Sequence, residues 1–166
     1  MTEAARGQLR WLGLTAVAIA LDQLSKAWIR AHIALYDSRE LLPVFSLTHR
    51  ENPGAAFSFL AGAAGWQRWL FTLLAAGVSV ALIVWLKRMP RTAQVSAAAL
   101  AFILGGAFGN LIDRVRFGAV TDFILVYWQQ HTFPAFNVAD SCITIGAGLL
   151  LLDVYLGQRA SGKAVA

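Results

Sequence analysis

Four stretches of the chain are almost continuously apolar: residues 11–29, 69–86, 95–112 and 138–156. The second carries no charge over its 18 residues. The first is apolar or small as far as Leu21 and then admits Asp22, Gln23 and Lys26. The third is rich in Ala and Gly and closes on Asn110, while the fourth opens with Asp140 and carries Asp153 near its far end. Each is close to the roughly 20 residues that cross about 30 Å of hydrocarbon. Backbone in lipid must satisfy its own hydrogen bonds, which leaves helices and closed barrels, and continuous apolar runs favour helices over alternating strands. The pattern predicts an all-α membrane protein of four transmembrane helices in one domain, residues 1–166.

Two longer connections, about 30–65 and 113–135, break this pattern. Residues 40–60 alternate in part around a turn-prone Asn52-Pro53-Gly54, which predicts a small β-hairpin or sheet on the membrane surface. Residues 116–130 read as an interfacial element whose Tyr127 and Trp128 suit the headgroup layer.

Composition agrees. Of 166 residues, 58% are hydrophobic and 14% charged, where a soluble domain is about a quarter charged. The net charge of +5 forms no basic stripe, so nucleic acid is not the expected partner. The one cysteine, Cys142, excludes an internal disulfide and a multi-cysteine metal site. Lys87, Arg88 and Arg91 crowd the 87–94 connection without an acid, Arg6 and Arg10 precede the first span, and Arg159 and Lys163 follow the last. The longer connections mix their bases with Asp37, Glu40, Glu51, Asp113 and Asp122. The positive-inside rule then puts both termini and the 87–94 loop in the cytoplasm and the two longer connections outside. The basic start and the Ala18-Ile19-Ala20 stretch mimic a cleavable signal. The charged residues just beyond and the three further spans identify a retained helix instead.

Ionisable groups in a span are costly and point to function. In this topology Asp22, Lys26, Asn110, Asp113 and Asp140 gather at one depth near the outer interface, beside the loops holding Asn52 and Asp122. Asp22 and Lys26 are four apart on one helix face and fit a structural ion pair. Gly105 and Gly109 form a small-xxx-small pattern suited to close helix packing. Arg114 fits either a salt-bridged turn with Asp113 or a reach toward a headgroup or substrate carbonyl. Cys142 fits a small buried apolar residue, with His32, His49 and His131 in the connections. Asp140 has two readings. It can cap a helix at the third position with Asn137 at the N-cap, or it can pair with Asp122 as two carboxylates that share a proton and activate water. An alternative for the whole cluster is an ion relay in a small transporter or channel.

Five motifs together resemble one family, bacterial lipoprotein signal peptidase, also called signal peptidase II. They are Asp22-Gln23 with Lys26; NPGAAF (Asn52, Gly54, Ala55, Ala56, Phe57); GGAFGNLIDR (Gly105, Gly106, Gly109, Asn110, Asp113, Arg114); VTDF (Val120, Asp122, Phe123); and FNVAD (Phe136, Asn137, Ala139, Asp140). Pro53 occupies a position that the family's pattern leaves free. The resemblance implies four transmembrane helices with a small extracytoplasmic β-cradle and a short interfacial helix. It implies an aspartic endopeptidase of the bacterial inner membrane, cleaving prolipoproteins before a diacylglyceryl-modified cysteine. It identifies Asp122 and Asp140 as catalytic, with no metal or cofactor. It gives Asn52 and Arg114 to substrate or to peptide antibiotics such as globomycin, Asp22, Lys26, Asn110, Asp113 and Asn137 to support of the site, and Gly54 to one or the other. Membrane lipids are the expected surroundings, and a monomer is the simplest assembly.

Overall fold

The computed structural model describes residues 7–54 and 65–163, with side chains as far as Gly157. Arg6, Ala55, Ala56 and Phe57 lie outside the described residues, as do the side chains of Arg159 and Lys163. A 3-10 turn, Leu9–Trp11, leads into α1 (Leu12–His32); α2 (Trp66–Arg88), α3 (Gln94–Phe117) and α4 (Val138–Lys163) complete the long helices. The 23 residues of α2 extend about 35 Å, enough to cross the hydrocarbon. All four helices are long and apolar enough to span a membrane.

The third helix is longer than its apolar run. Asn110 and Asp113 do not end it, because both are buried against partners and cost nothing unsatisfied. It stops at Gly118, whose left-handed backbone (φ 85°) lets its N–H return to the Arg114 carbonyl at 3.2 Å.

α3 is the hub. Half of its apolar window is buried inside the protein, against 17–28% in the other spans, and α1, α2 and α4 each pack on it. Small residues permit this. A Cβ on Gly105 would sit 2.6 Å from the Ala18 Cβ of α1, and one on Gly106 would sit 2.2 Å from the Ala139 carbonyl oxygen of α4. The packing stripe expected from Gly105 and Gly109 therefore serves two neighbours, with Gly106 as its extension. The opposite faces of α1 and α2, among them Leu24, Trp69 and Leu73, are exposed apolar surface for lipid.

At one end of the bundle β1 (Ser38–Leu42), β2 (Phe45–Asn52), β3 (Val120–Trp128) and β4 (His131–Thr132) form one antiparallel sheet in the order 1-2-3-4. The expected hairpin is present, but its turn is Pro43-Val44, and Asn52 instead ends β2. Within the 116–130 stretch, residues 116–117 end α3 and Val120–Trp128 forms the third strand of the same sheet. Among the described residues the connections at this end hold strands and turns; the expected interfacial helix is not among them.

Two details of this sheet position the site. β2 pairs Leu47 with Ile124 but Arg50 with Asp122, so Thr48 and His49 together oppose Phe123 in a bulge. One extra residue exchanges the faces of everything beyond it. Asn52 thereby shares a face with Asp122; without the bulge it would share one with Thr121. The second detail is a bridge between Ile124 and Phe136, closed by Phe136 N–H to Ile124 at 3.1 Å and Ile124 N–H to Phe136 at 2.8 Å. Antiparallel pairing there brings Asn137, the residue that starts α4, alongside Asp122.

Candidate active site

Asn137 and Asp140 form a capping box. The Asp140 backbone N–H donates to Asn137 Oδ1 at 2.9 Å, and the Asn137 N–H donates to Asp140 Oδ2 at 3.2 Å. The capping reading is therefore true, and it does not exclude chemistry. It fixes the Asp140 carboxylate at the positive end of a helix and at the edge of a cleft of about 950 Å³. Asp122, Asn52, Asn110, Arg114 and Phe136 line the same cleft.

Three asparagines hold the two carboxylates, and a donor-only group orients each of their amides. Asn137 Oδ1 faces a backbone N–H, so its NH2 turns to Asp122 Oδ1 at 2.7 Å. Asn52 Oδ1 accepts from the Gly54 N–H at 3.0 Å, so its NH2 reaches Asp122 Oδ2 at 3.1 Å. Asn110 Oδ1 accepts from the Lys26 ammonium at 2.9 Å, so its NH2 donates to Asp140 Oδ1 at 2.8 Å. N–H and ammonium groups offer no acceptor, which removes the usual ambiguity of amide orientation.

The acids differ in surroundings. Asp122 is 4% exposed, and burial, reinforced by the charge of Asp140, pushes its carboxyl up from 3.8 to about 7. The amides of Asn52 and Asn137 and the more distant Lys26 charge oppose that rise without cancelling it. Two carboxyls that share a low-dielectric cleft do not both ionise readily.

Behind this pair lies a buried ionic cluster. Asp22, Lys26 and Asp113 are fully buried; Lys26 Nζ is 2.8 Å from Asp22 and 3.0 Å from Asp113. The ion pair expected from the i, i+4 spacing is present, with Asp113 as a third member. Asp22 Oδ1 also accepts the Ala139 N–H at 2.9 Å, tying α1 to the first turn of α4. Asp113 accepts the Thr121 N–H at 3.1 Å, tying α3 to β3. Arg30 donates to Thr121 Oγ1 at 2.8 Å and lies 3.8 Å from Asp113. Gln23 donates to the Gly109 carbonyl at 3.1 Å and to Asp113 at 3.2 Å. Arg30 was not a predicted residue, although it extends the Asp22, Lys26 stripe by a further four positions; that spacing was the available signal.

Arg114 makes no salt-bridged turn with Asp113. It donates to the Gly54 carbonyl at 3.1 Å and reaches into the cleft, with Gly54 thus linking Asn52 to Arg114. Cys142 is buried, as expected. His32 ends α1, and His49 and His131 lie in strands, not in loops. Asp153, toward the far end of α4, accepts from Ser96 of α3 and is separate from the cluster. Among the described residues the acids thus concentrate at one end of the bundle and do not form a chain across it.

Comparison with known proteins assigns the family. The family model described as Signal peptidase (SPase) II matches residues 14–156. Among curated relatives, a lipoprotein signal peptidase of Pseudomonas aeruginosa is 52% identical over 160 residues, covering 95% of this chain and 94% of the relative. The lipoprotein signal peptidase of Shewanella pealeana is 49% identical over 155 residues, covering 93% and 91%. A bacterial membrane enzyme solved by the in meso method superposes with a TM-score of 0.82 at 27% identity, over 95% of this chain and 94% of that one. The chain belongs to the signal peptidase II family of membrane peptidases.

Proposed function

We propose that this protein is an aspartic endopeptidase that removes the signal peptide from diacylglyceryl-modified prolipoproteins, with Asp122 as the acid and Asp140 as the base. The observation that carries this reading is the pair of carboxylates in one cleft, each held by amide donors, one pushed up to about 7 and the other at a helix N-terminus. Asp140, ionised, takes a proton from water as the water oxygen attacks the scissile carbonyl carbon. Asp122 gives its proton to the carbonyl oxygen, and a neutral tetrahedral diol results. Asp140 then passes its new proton to the amide nitrogen, the C–N bond breaks, and a diol hydroxyl returns its proton to Asp122. Each carboxyl ends as it began.

Arg114 and Asn52 lie where an extended peptide would enter, and the apolar flank formed by Ile143 and Ile145 of α4 suits the acyl chains. A site at one end of the bundle meets a lipid-anchored cysteine without drawing polar backbone into the bilayer centre. The charge distribution supports cytoplasmic termini and a site on the outer face of the bacterial inner membrane; a monomer is the simplest assembly. The same cleft is the proposed binding place of globomycin-type peptides.

The test is cleavage of a diacylglyceryl-modified prolipoprotein by purified protein in lipid. Asp122→Asn and Asp140→Asn should each lower kcat by about 10³-fold or more. Full activity in either variant would remove that residue from the mechanism.

A further inference from the structure

We infer that Lys26 is a positioning residue for hydrolysis: it locks the Asn110 amide so that Asn110 presents its NH2, and not its oxygen, to Asp140. The inference rests on the proposed role of Asp140 as base. Lys26 is fully buried, and its ammonium has three hydrogens and three partners: Asp22 at 2.8 Å, Asp113 at 3.0 Å and Asn110 Oδ1 at 2.9 Å. An ammonium accepts nothing, so the amide atom facing it must be the oxygen. Turning the amide over would set NH2 against an ammonium and oxygen against a carboxylate at 2.8 Å. Lys26 therefore penalises the unproductive orientation from one side while Asp140 penalises it from the other.

The consequence is geometric. Asp140 Oδ2 is held by the Asn137 N–H, and Oδ1 is held by Asn110. Only the second restraint depends on a side chain free to rotate. Loss of it leaves the carboxylate able to turn about its cap, and displacement of a reacting group by about 1 Å costs on the order of 10²-fold in rate. Asn137 also donates to Asn110 Oδ1, at 3.2 Å, but the same nitrogen is engaged more closely by Asp122 at 2.7 Å. Lys26 is the dedicated anchor.

A purely structural Lys26 would only balance charge. Lys26 faces both Asp22 and Asp113, and the partly exposed Arg30 lies 3.8 Å from Asp113, so the cluster is electrically even. Lys26→Met alone leaves the buried Asp22 without a cation, whereas Lys26→Met with Asp22→Asn leaves Asp113 facing Arg30 and keeps the balance. The double variant, compared with Asp22→Asn, should recover the melting temperature, keep KM within about threefold and lose about 100-fold in kcat. In an Asn110→Ala background the same Lys26 change should cost no further kcat, because the amide it acts through is gone. A kcat equal to that of Asp22→Asn, or losses that multiply in the Asn110→Ala background, would overturn the inference. If the Lys26 variants do not fold, Asn110→Asp decides: it keeps an oxygen toward the ammonium but puts a second oxygen against Asp140. Retained kcat there would overturn the inference, and a collapse of kcat with KM and melting temperature held would support it. Asp140→Asn run alongside separates this outcome from failure of the base assignment itself.

Discussion

Asp122→Asn should remove activity and, at the same time, stabilise the protein in a pH-dependent way. Burial lifts the wild-type carboxyl from 3.8 to about 7. The folded state thus holds this proton more tightly than the unfolded chain does. Well below pH 4 the group is neutral in both states and costs nothing. Above it the unfolded chain ionises first, so stability falls as pH rises and levels off once the folded group has also ionised, past pH 7. The full loss is about 4 kcal/mol, of which about 3 kcal/mol falls between pH 5 and pH 8. An asparagine cannot ionise and escapes that loss. It does meet two amide donors, Asn137 at 2.7 Å and Asn52 at 3.1 Å, with only one oxygen. One donor then faces an NH2, a cost of about 1–3 kcal/mol that does not vary with pH. Reversible unfolding of both proteins in lipid–detergent mixtures at pH 5 and pH 8 should show the variant gaining about 3 kcal/mol relative to wild type across that interval. A stability difference that is the same at both pH values would refute the buried, protonated Asp122, and with it the assignment of the acid.

Asn52→Ala removes a donor that holds the Asp122 carboxyl down, so the alkaline limb of the kcat/KM pH profile should move to higher pH while the maximal rate falls. A limb that stays in place or moves down would contradict that contact. Gly109→Ala sets a methyl 2.5 Å from Asp22 Oδ2 and 3.2 Å from the Ala139 Cβ, so thermal unfolding should show a loss of about 1–3 kcal/mol with reduced cleavage. An unchanged melting temperature would mean that α1 and α4 are not held as closely to α3 as they are here. Cleavage by the purified protein should proceed undiminished in EDTA, and strict metal dependence would exclude the carboxylate mechanism.

The spans were legible because lipid imposes a crude rule, about 20 apolar residues per crossing, that composition alone satisfies or fails. Asp22 with Lys26 and Asn137 with Asp140 were legible for a related reason: helix geometry fixes which residues meet at three and four positions apart. Hairpin placement was less legible. Asn52-Pro53-Gly54 carries stronger turn chemistry than Pro43-Val44, yet strand pairing with β3 is what decides where β2 ends. Arg114 was undecided in sequence, since its partner, the Gly54 carbonyl, lies 60 residues away.

Sequence by itself determined four spans, polar residues clustered at one depth, and a capped helix opening on an acid, because each follows from local periodicity or from the cost of charge in lipid. Tertiary structure alone decided how Asp122 and Asp140 come to line one cleft and which side chains hold them there. A one-residue bulge in β2 turns Asn52 onto the face of Asp122, and the Ile124–Phe136 bridge delivers the start of α4 beside it. Strand register and long-range bridging depend on partners far along the chain, and no local pattern specifies them. Lys26 shows the same division: its spacing announces an ion pair with Asp22, and only the packing of α1 against α3 reveals the amide it anchors.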